Sequence, residues 1–200
     1  MEKAKAIVIT GTPGVGKSTL ARLLAEELGA ELISLGELVA EEGLHEGEDP
    51  ETGSLLVDLG ALSKRLVELL SHGQRELYVV EGHYAHLVVP REFLLMAFVL
   101  RREPGELKRI LEARGYSGRK LYENLQAEVL DVCLYEAVQA YGPELVYEVD
   151  TTGREPRDVL EEVLRALERG RGRVGIVDWL GALEGEGRLS DFFPPEQHQN

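Results

Sequence analysis

Gly11-Thr12-Pro13-Gly14-Val15-Gly16-Lys17-Ser18 fits the pattern G-x-x-x-x-G-K-[ST], and its setting decides the fold. Just before it, residues 6–10 read Ala-Ile-Val-Ile-Thr, an apolar, β-branched run of the kind buried in parallel sheets. Just after it, Leu20, Leu23, Leu24 and Leu28 recur at helical spacing, and Gly29 supplies a stop. Strand, glycine loop and helix in that order make a phosphate-binding P-loop. The glycines let backbone N–H groups wrap a polyphosphate, and the helix start adds the positive end of its dipole. Lys17 can reach the β- and γ-phosphates, and the Ser18 hydroxyl can coordinate Mg²⁺. The predicted ATP contacts of the loop are Gly14, Val15, Gly16, Lys17, Ser18 and Thr19.

Outward from the loop, strands alternate with helices, which predicts an α/β fold: a doubly wound, five-stranded parallel sheet flanked by helices. Strands are expected at 6–10, 31–35, 77–80, 94–100 and 145–150. After the P-loop helix, further helices are expected at 36–42, 58–71 (Asp58 as N-cap), 104–114 (opened by Pro104), 119–141 and 156–168 (opened by Pro156). Residues 43–54 are polar and rich in Gly and Glu, and read as a mobile surface segment. From Arg169 the chain changes character. It runs through Gly-Arg-Gly-Arg, a small apolar cluster of Val177, Trp179 and Leu180, and then Gly/Glu-rich and Pro-rich sequence. That predicts a P-loop domain over 1–168 and a tail over 169–200 with one anchoring patch and a disordered end after about Pro194.

The chain of 200 residues has room for one domain, expected to be a monomer. Its net charge of −14 is unlike a protein that lays a basic surface on nucleic acid, so no direct nucleic-acid binding is expected from it alone. Such a surface suits solubility or a basic protein partner. The one cysteine, Cys133, lies in an apolar helical stretch, cannot form an internal disulfide, and reads as a core residue in a reducing compartment. Met1-Glu2-Lys3 leads straight into the first strand without a signal-peptide pattern, and no apolar stretch is long enough to span a bilayer. The expected location is the cytoplasm, or the nucleus in a cell that has one.

Three further constellations carry chemistry. Glu81-Gly82-His83 ends an apolar strand, where ligands of open α/β sheets gather; Glu81 can hold Mg²⁺ through water and His83 can contact a phosphate. His83 and His86 are three apart, but no third ligand accompanies them, which argues against zinc. Arg101, Arg102, Lys108, Arg109, Arg114, Arg119 and Lys120 form a cationic set that could meet the charge of a transferring phosphoryl group. Arg114, just before the Gly115-Tyr116 break, is the best placed of them for a lid. Residues 151–156, with Thr152 chosen as the contact, follow the last strand where a loop could pass over the adenine. There is no Asn-Lys-x-Asp motif, which argues against a guanine-specific GTPase.

Taken together these residues resemble the small P-loop kinases, and most closely the adenylate kinase-like family of archaea and eukaryotic nuclei that doubles as an assembly factor for the small ribosomal subunit. The resemblance spans about residues 5–168. It rests on the P-loop, on Leu35-Gly36-Glu37-Leu38, on the acidic-x-His at 81–83, and on Arg114-Gly115-Tyr116, Lys120, Asn124, Gln126 and Glu128. It implies ATP:AMP phosphotransfer with Mg²⁺, an ATPase activity beside it, and a basic small-subunit ribosomal protein as partner. It also implies a monophosphate-binding segment near 35–57, with AMP contacts from Gly36, Leu38, Gly82 and His83, and a short lid near 114–120. The implied catalytic set is Lys17, Glu81, His83 and Arg114. The chain departs from the family pattern in three places. Glu81 replaces the usual Asp, Ala40 stands where monophosphate kinases often carry an AMP-clamping Arg, and Ile110 stands near the place of a lid-entry Arg. The last two weaken the AMP clamp and predict slow AMP phosphorylation.

Overall fold

The computed structural model describes residues 4–50 and 53–194. In chain order the elements are β1 (Lys5–Thr10), α1 (Lys17–Leu28), β2 (Glu31–Ser34), α2 (Leu35–Glu42), β3 (His45–Glu48), β4 (Leu55–Val57), α3 (Leu59–His72), β5 (Leu77–Glu81) and α4 (Ala85–Val88). They continue with β6 (Leu94–Arg101), α5 (Pro104–Ala113), α6 (Gly118–Val129), α7 (Val132–Tyr141), β7 (Val146–Asp150), α8 (Pro156–Arg169) and α9 (Trp179–Gly185). Five strands form a parallel sheet in the order β2-β5-β1-β6-β7, as expected.

The sheet is buried on both faces, and the period of two along each strand divides the core. On β1, Ile7 and Ile9 point to one face with Val79, Phe98, Leu100 and Val149, against the leucines of α1, α5, α6 and α8. Ala6 and Val8 point to the other with Val80, Ala97 and Val99, against α2, α3, α4 and α7. Parallel strands covered on both sides need such unbroken apolar runs. Local signals act as read: Asp58 Oδ1 accepts from the Ala61 N–H at 2.9 Å, and Pro104 and Pro156 each open a helix.

Three stretches differ from expectation. Of the segment expected to be mobile over 43–54, residues 51 and 52 lie outside the described residues, and the rest contributes to a hairpin: β3 pairs antiparallel with β4, His45 opposite Val57 and Glu48 opposite Leu55, with Asp49 N–H donating to Ser54 O at 2.8 Å. Both strands are too short for periodicity to reveal, and β3, His-Glu-Gly-Glu, is polar throughout. The helix expected over 119–141 is two helices, broken at Asp131, whose φ of 57° makes it the one non-glycine residue in the left-handed region among the described residues. Asp tolerates that conformation, and its carboxylate accepts from Arg101 Nη2, so a tertiary ion pair overrides local helical propensity.

The third is the segment after Arg169. It runs beside β7, with Gly172 and Arg173 N–H groups donating to Glu144 O and Val146 O and Glu148 N–H donating to Arg173 O. It then forms α9 and returns to the core. The expected anchors were Val177, Trp179 and Leu180, yet Leu180 is exposed; Leu183 and Phe192 enter the core, in the cluster that holds Val15. The end expected to be disordered lies outside the described residues. No helix among the described residues is long and apolar enough to cross a membrane.

Candidate active site

The P-loop joins β1 to α1 at the C-terminal edge of the sheet. Gly11 has φ +135° and lies so near β6 that a Cβ there would stand 2.5 Å from Leu100 O; at Gly14, φ +93°, a Cβ would stand 2.8 Å from Leu107 Cδ1. Both positions need glycine for conformation and for space. The loop is tied from behind. Thr151 Oγ1 lies 3.0 Å from Val15 O and 2.8 Å from Arg101 O, pinning it to the ends of β6 and β7. Thr12 Oγ1 donates to Glu128 Oε2 at 2.5 Å. Lys17 Nζ donates to Thr12 O at 2.8 Å. Burial pushes the Lys17 ammonium down to about 8, against the pull of Cys133, Glu81 and Glu128.

Glu81 ends β5 and is 6% exposed. Its Oε1 accepts from Ser34 Oγ at 2.9 Å and faces Ser18 Oγ at 3.3 Å. Gly82 lets the following turn close on α2, since a Cβ there would lie 3.0 Å from the Leu35 side chain. His83 keeps solvent contact, but its crowded surroundings and the Lys17 and His86 charges push its imidazole down to about 4. It is therefore neutral at pH 7. His86 faces the other way, buried, with Nδ1 2.8 Å from Thr10 Oγ1 and Nε2 3.0 Å from Glu136 Oε2. Its two nitrogens are engaged, and the pair with His83 is not formed.

Three cavities run in a row along this edge. The first, about 310 Å³, is lined by Gly14, Val15, Gly16 and Thr19 on the loop side and by Arg102, Arg154 and Pro156 opposite. The second, about 250 Å³, holds Lys17, Ser18, Thr19, His83, Arg114 and Tyr116. The third, about 820 Å³, lies between the β3–β4 hairpin, α4, α6 and α7, with Gly36, Leu56, Leu87, His83, Lys120 and Glu136 on its walls. Arg114 is shared by the first and second, and His83 and Tyr116 by the second and third.

The predicted residues divide accordingly. The P-loop set, Glu81, His83 and Arg114 converge. Gly36 lines the third cavity, whereas Leu38 packs against the core and Ala40 is exposed outside the lining. Thr152 is turned away: its hydroxyl bonds Asp150 Oδ1 at 2.5 Å and accepts from Glu103 N–H, and Thr151 and Arg154 line the first cavity instead. The cationic set also splits. Arg101 is 1% exposed and bound by Glu128, Glu148 and Asp131, so it is structural. Arg119 pairs with Glu123, and Lys108 lies over the Tyr122 ring. Three residues have no individual role in the sequence reading: Thr12, at a variable position of the motif; Glu128, which belongs only to the resemblance pattern; and Arg154, which belongs only to the 151–156 loop. Only the fold brings them to the loop.

A family described as AAA domain matches residues 7–131. A protein of Methanothermobacter thermautotrophicus named "Putative adenylate kinase" is 46% identical over 178 residues, which cover 87% of this chain and 98% of that relative. One of the same name from Methanocaldococcus jannaschii is 38% identical over 173 residues, covering 86% and 92%. The chain belongs to the archaeal adenylate kinase-like P-loop family. Among solved structures, a shikimate kinase from Acinetobacter baumannii in complex with shikimate superposes with a TM-score of 0.59 at 18% identity, covering 83% of this chain and 94% of that one. At that identity the likeness is one of fold.

Proposed function

We propose that this protein is a nucleoside monophosphate kinase that transfers the γ-phosphate of ATP to AMP. The observation that carries this reading is the row of three cavities, with Lys17, His83 and Arg114 where a donor nucleotide on one side would meet an acceptor on the other. The names of its relatives support it. In this reading the ATP base lies against Arg102, Arg154 and Pro156, and the polyphosphate lies in the loop. AMP takes the third cavity near Gly36, Gly82 and His83, under the hairpin as monophosphate-binding segment and a lid near 114–120.

The acceptor needs no strong base. A phosphate monoester loses its second proton near pH 6, so the attacking oxygen is already anionic at pH 7. That oxygen bonds to the γ-phosphorus while the bond to the bridging oxygen of ADP breaks. Lys17 and Arg114 meet the charge that spreads over the transferring group. Neutral His83 can donate its ring N–H to a phosphate oxygen and hold the acceptor in line. The Ser18 hydroxyl and the Glu81 carboxylate, 3.3 Å apart, are the hard oxygen donors that Mg²⁺ takes, Ser18 directly and Glu81 through water. When bound, Mg²⁺ neutralises charge on the β- and γ-phosphate oxygens.

One observation favours a second reading. No cation from α2 lines the acceptor cavity, where Ala40 is exposed outside it. A weak AMP clamp suits an ATPase that acts in small-subunit assembly, with the acidic surface received by a basic ribosomal protein in the cytoplasm. Purified protein with Mg-ATP, with and without AMP, separates the readings. The kinase gives two ADP per ATP consumed, without free phosphate and only with AMP. Free phosphate released regardless of AMP overturns it in favour of the ATPase.

A further inference from the structure

Glu128 is 2% exposed, and its carboxylate gathers four donors. Thr12 Oγ1 donates to Oε2 at 2.5 Å. Arg101 Nε at 2.8 Å, the Arg102 backbone N–H at 3.1 Å and Trp179 Nε1 at 3.2 Å donate to Oε1. Arg101 also donates to Glu148 Oε1 at 2.8 Å, and Glu148 Oε2 accepts from the Ile176 N–H at 2.8 Å. Two buried carboxylates are thus each shared between one arginine and the C-terminal segment. Glu128 then hands the arrangement on to the P-loop. Thr12, which it holds by the hydroxyl, accepts Lys17 Nζ on its carbonyl at 2.8 Å. The chain Trp179–Glu128–Thr12–Lys17 leads from the segment to the group that touches phosphate.

The anchoring of the segment is built for that purpose. Leu183 and Phe192 sit in the same apolar cluster as Val15 of the loop, and Gln126, two residues before Glu128 on α6, donates to Phe192 O at 3.2 Å. A carboxylate with three donors on one oxygen has one orientation open to it, and the remaining oxygen is aimed at Thr12. Without the Trp179 N–H the carboxylate keeps its bonds from Arg101 and the Arg102 N–H but loses the donor that ties it to the C-terminal segment.

We propose that residues 172–192 are a working part of the nucleotide site, with Trp179 a positioning residue that holds Thr12 and Lys17 through Glu128. The inference rests on reading the P-loop as an ATP site, and its test needs no phosphotransfer. Trp179 is the chain's one tryptophan, so intrinsic tryptophan emission reports on its surroundings, the Glu128 contact among them. The full chain is titrated with Mg-ATP in the absence of AMP, with binding followed independently by calorimetry. Emission should change as nucleotide saturates. It should stay constant in Thr12→Val, which removes the hydroxyl link while the loop backbone still binds. Trp179→Phe, which keeps an aromatic ring and removes the N–H, should bind Mg-ATP about tenfold more weakly, with a cooperative melt near that of the native chain. Unchanged emission in the native chain at calorimetric saturation overturns the proposal. So does the same change in Thr12→Val, or a Trp179→Phe affinity within twofold of native. Where Trp179→Phe fails to fold, the native and Thr12→Val titrations decide. Loss of AMP phosphorylation alone would touch the kinase reading and leave this one standing.

Discussion

The two sides of the candidate site are built differently. On the donor side the loop is held from behind by Thr151, Glu128 and Arg101, each 3% exposed or less, through hydrogen bonds of 3.0 Å or shorter. On the acceptor side the third cavity is walled by a two-stranded hairpin and short helices, with Leu56 and Leu87 each 49% exposed and Leu59 40% exposed. On the proposed reading the donor side is preorganised: its bonds are in place before a polyphosphate arrives, and binding shifts them slightly along the Lys17–Thr12–Glu128 chain. The acceptor side mixes polar groups, among them Glu46, His83, Lys120, Asn124 and Glu136, with apolar walls that stand partly in water. On the same reading, the donor site is fixed and the choice of acceptor falls to a small wall of hairpin and helix residues.

The contrast can be broken most strongly at Lys17. Lys17→Met should lower phosphotransfer about a thousandfold, on the order of 4 kcal/mol of transition-state stabilisation, while the melting temperature stays level or rises because a partly buried charge is gone. Steady-state kinetics and a thermal melt check both halves. Next is Arg101→Met, which leaves Glu128 and Glu148 buried without their cation. It should cost about 3–5 kcal/mol in urea unfolding and, through Glu128 and Thr12, weaken Mg-ATP binding as well.

A pH titration sharpens the comparison further. The Lys17 ammonium titrates near 8 in the fold and near 10.5 in the unfolded chain. Between those values the unfolded chain holds more protons, so stability from this group rises with pH, while the charge that meets phosphate is lost. From pH 7 to 9.5 the ligand-free protein should therefore gain stability relative to Lys17→Met, as its affinity for Mg-ATP falls about tenfold. His83, pushed down to about 4, should add no inflection between pH 6 and 8. The smallest effect belongs to the acceptor wall: Leu56→Ala should change stability by less than about 0.5 kcal/mol and raise the acceptor KM roughly threefold, with KM for ATP unchanged.

The sequence revealed the two sides unequally for the same physical reason. The P-loop, its flanking strand and helix, and Glu81 at the end of β5 were legible because local pattern and strand-end position specify them together. The hairpin was not, because three- and four-residue strands carry too little periodicity. The break at Asp131 was invisible because Arg101, thirty residues away, selects it. Thr152 and Arg101 misled for a related reason. A residue type suited to a ligand is equally suited to a buried bond, and only the packing tells Asp150 and Glu148 from ATP.

One feature at the far side of the sheet bears on the life of the protein in a crowded cell. Beside β7 the backbone of Arg173 forms a parallel bridge with Tyr147 and takes up hydrogen-bonding groups that the last strand would otherwise offer. At the opposite border β2 is four residues long and begins with Glu31, whose carboxylate lies 4.0 Å from Arg75. One border is thus covered by the chain itself and the other is short and charged, the two devices by which sheets avoid recruiting foreign strands. Loss of residues 172–192 would uncover a five-residue apolar-flanked template, and the truncated chain should be the aggregation-prone one even where its P-loop still folds.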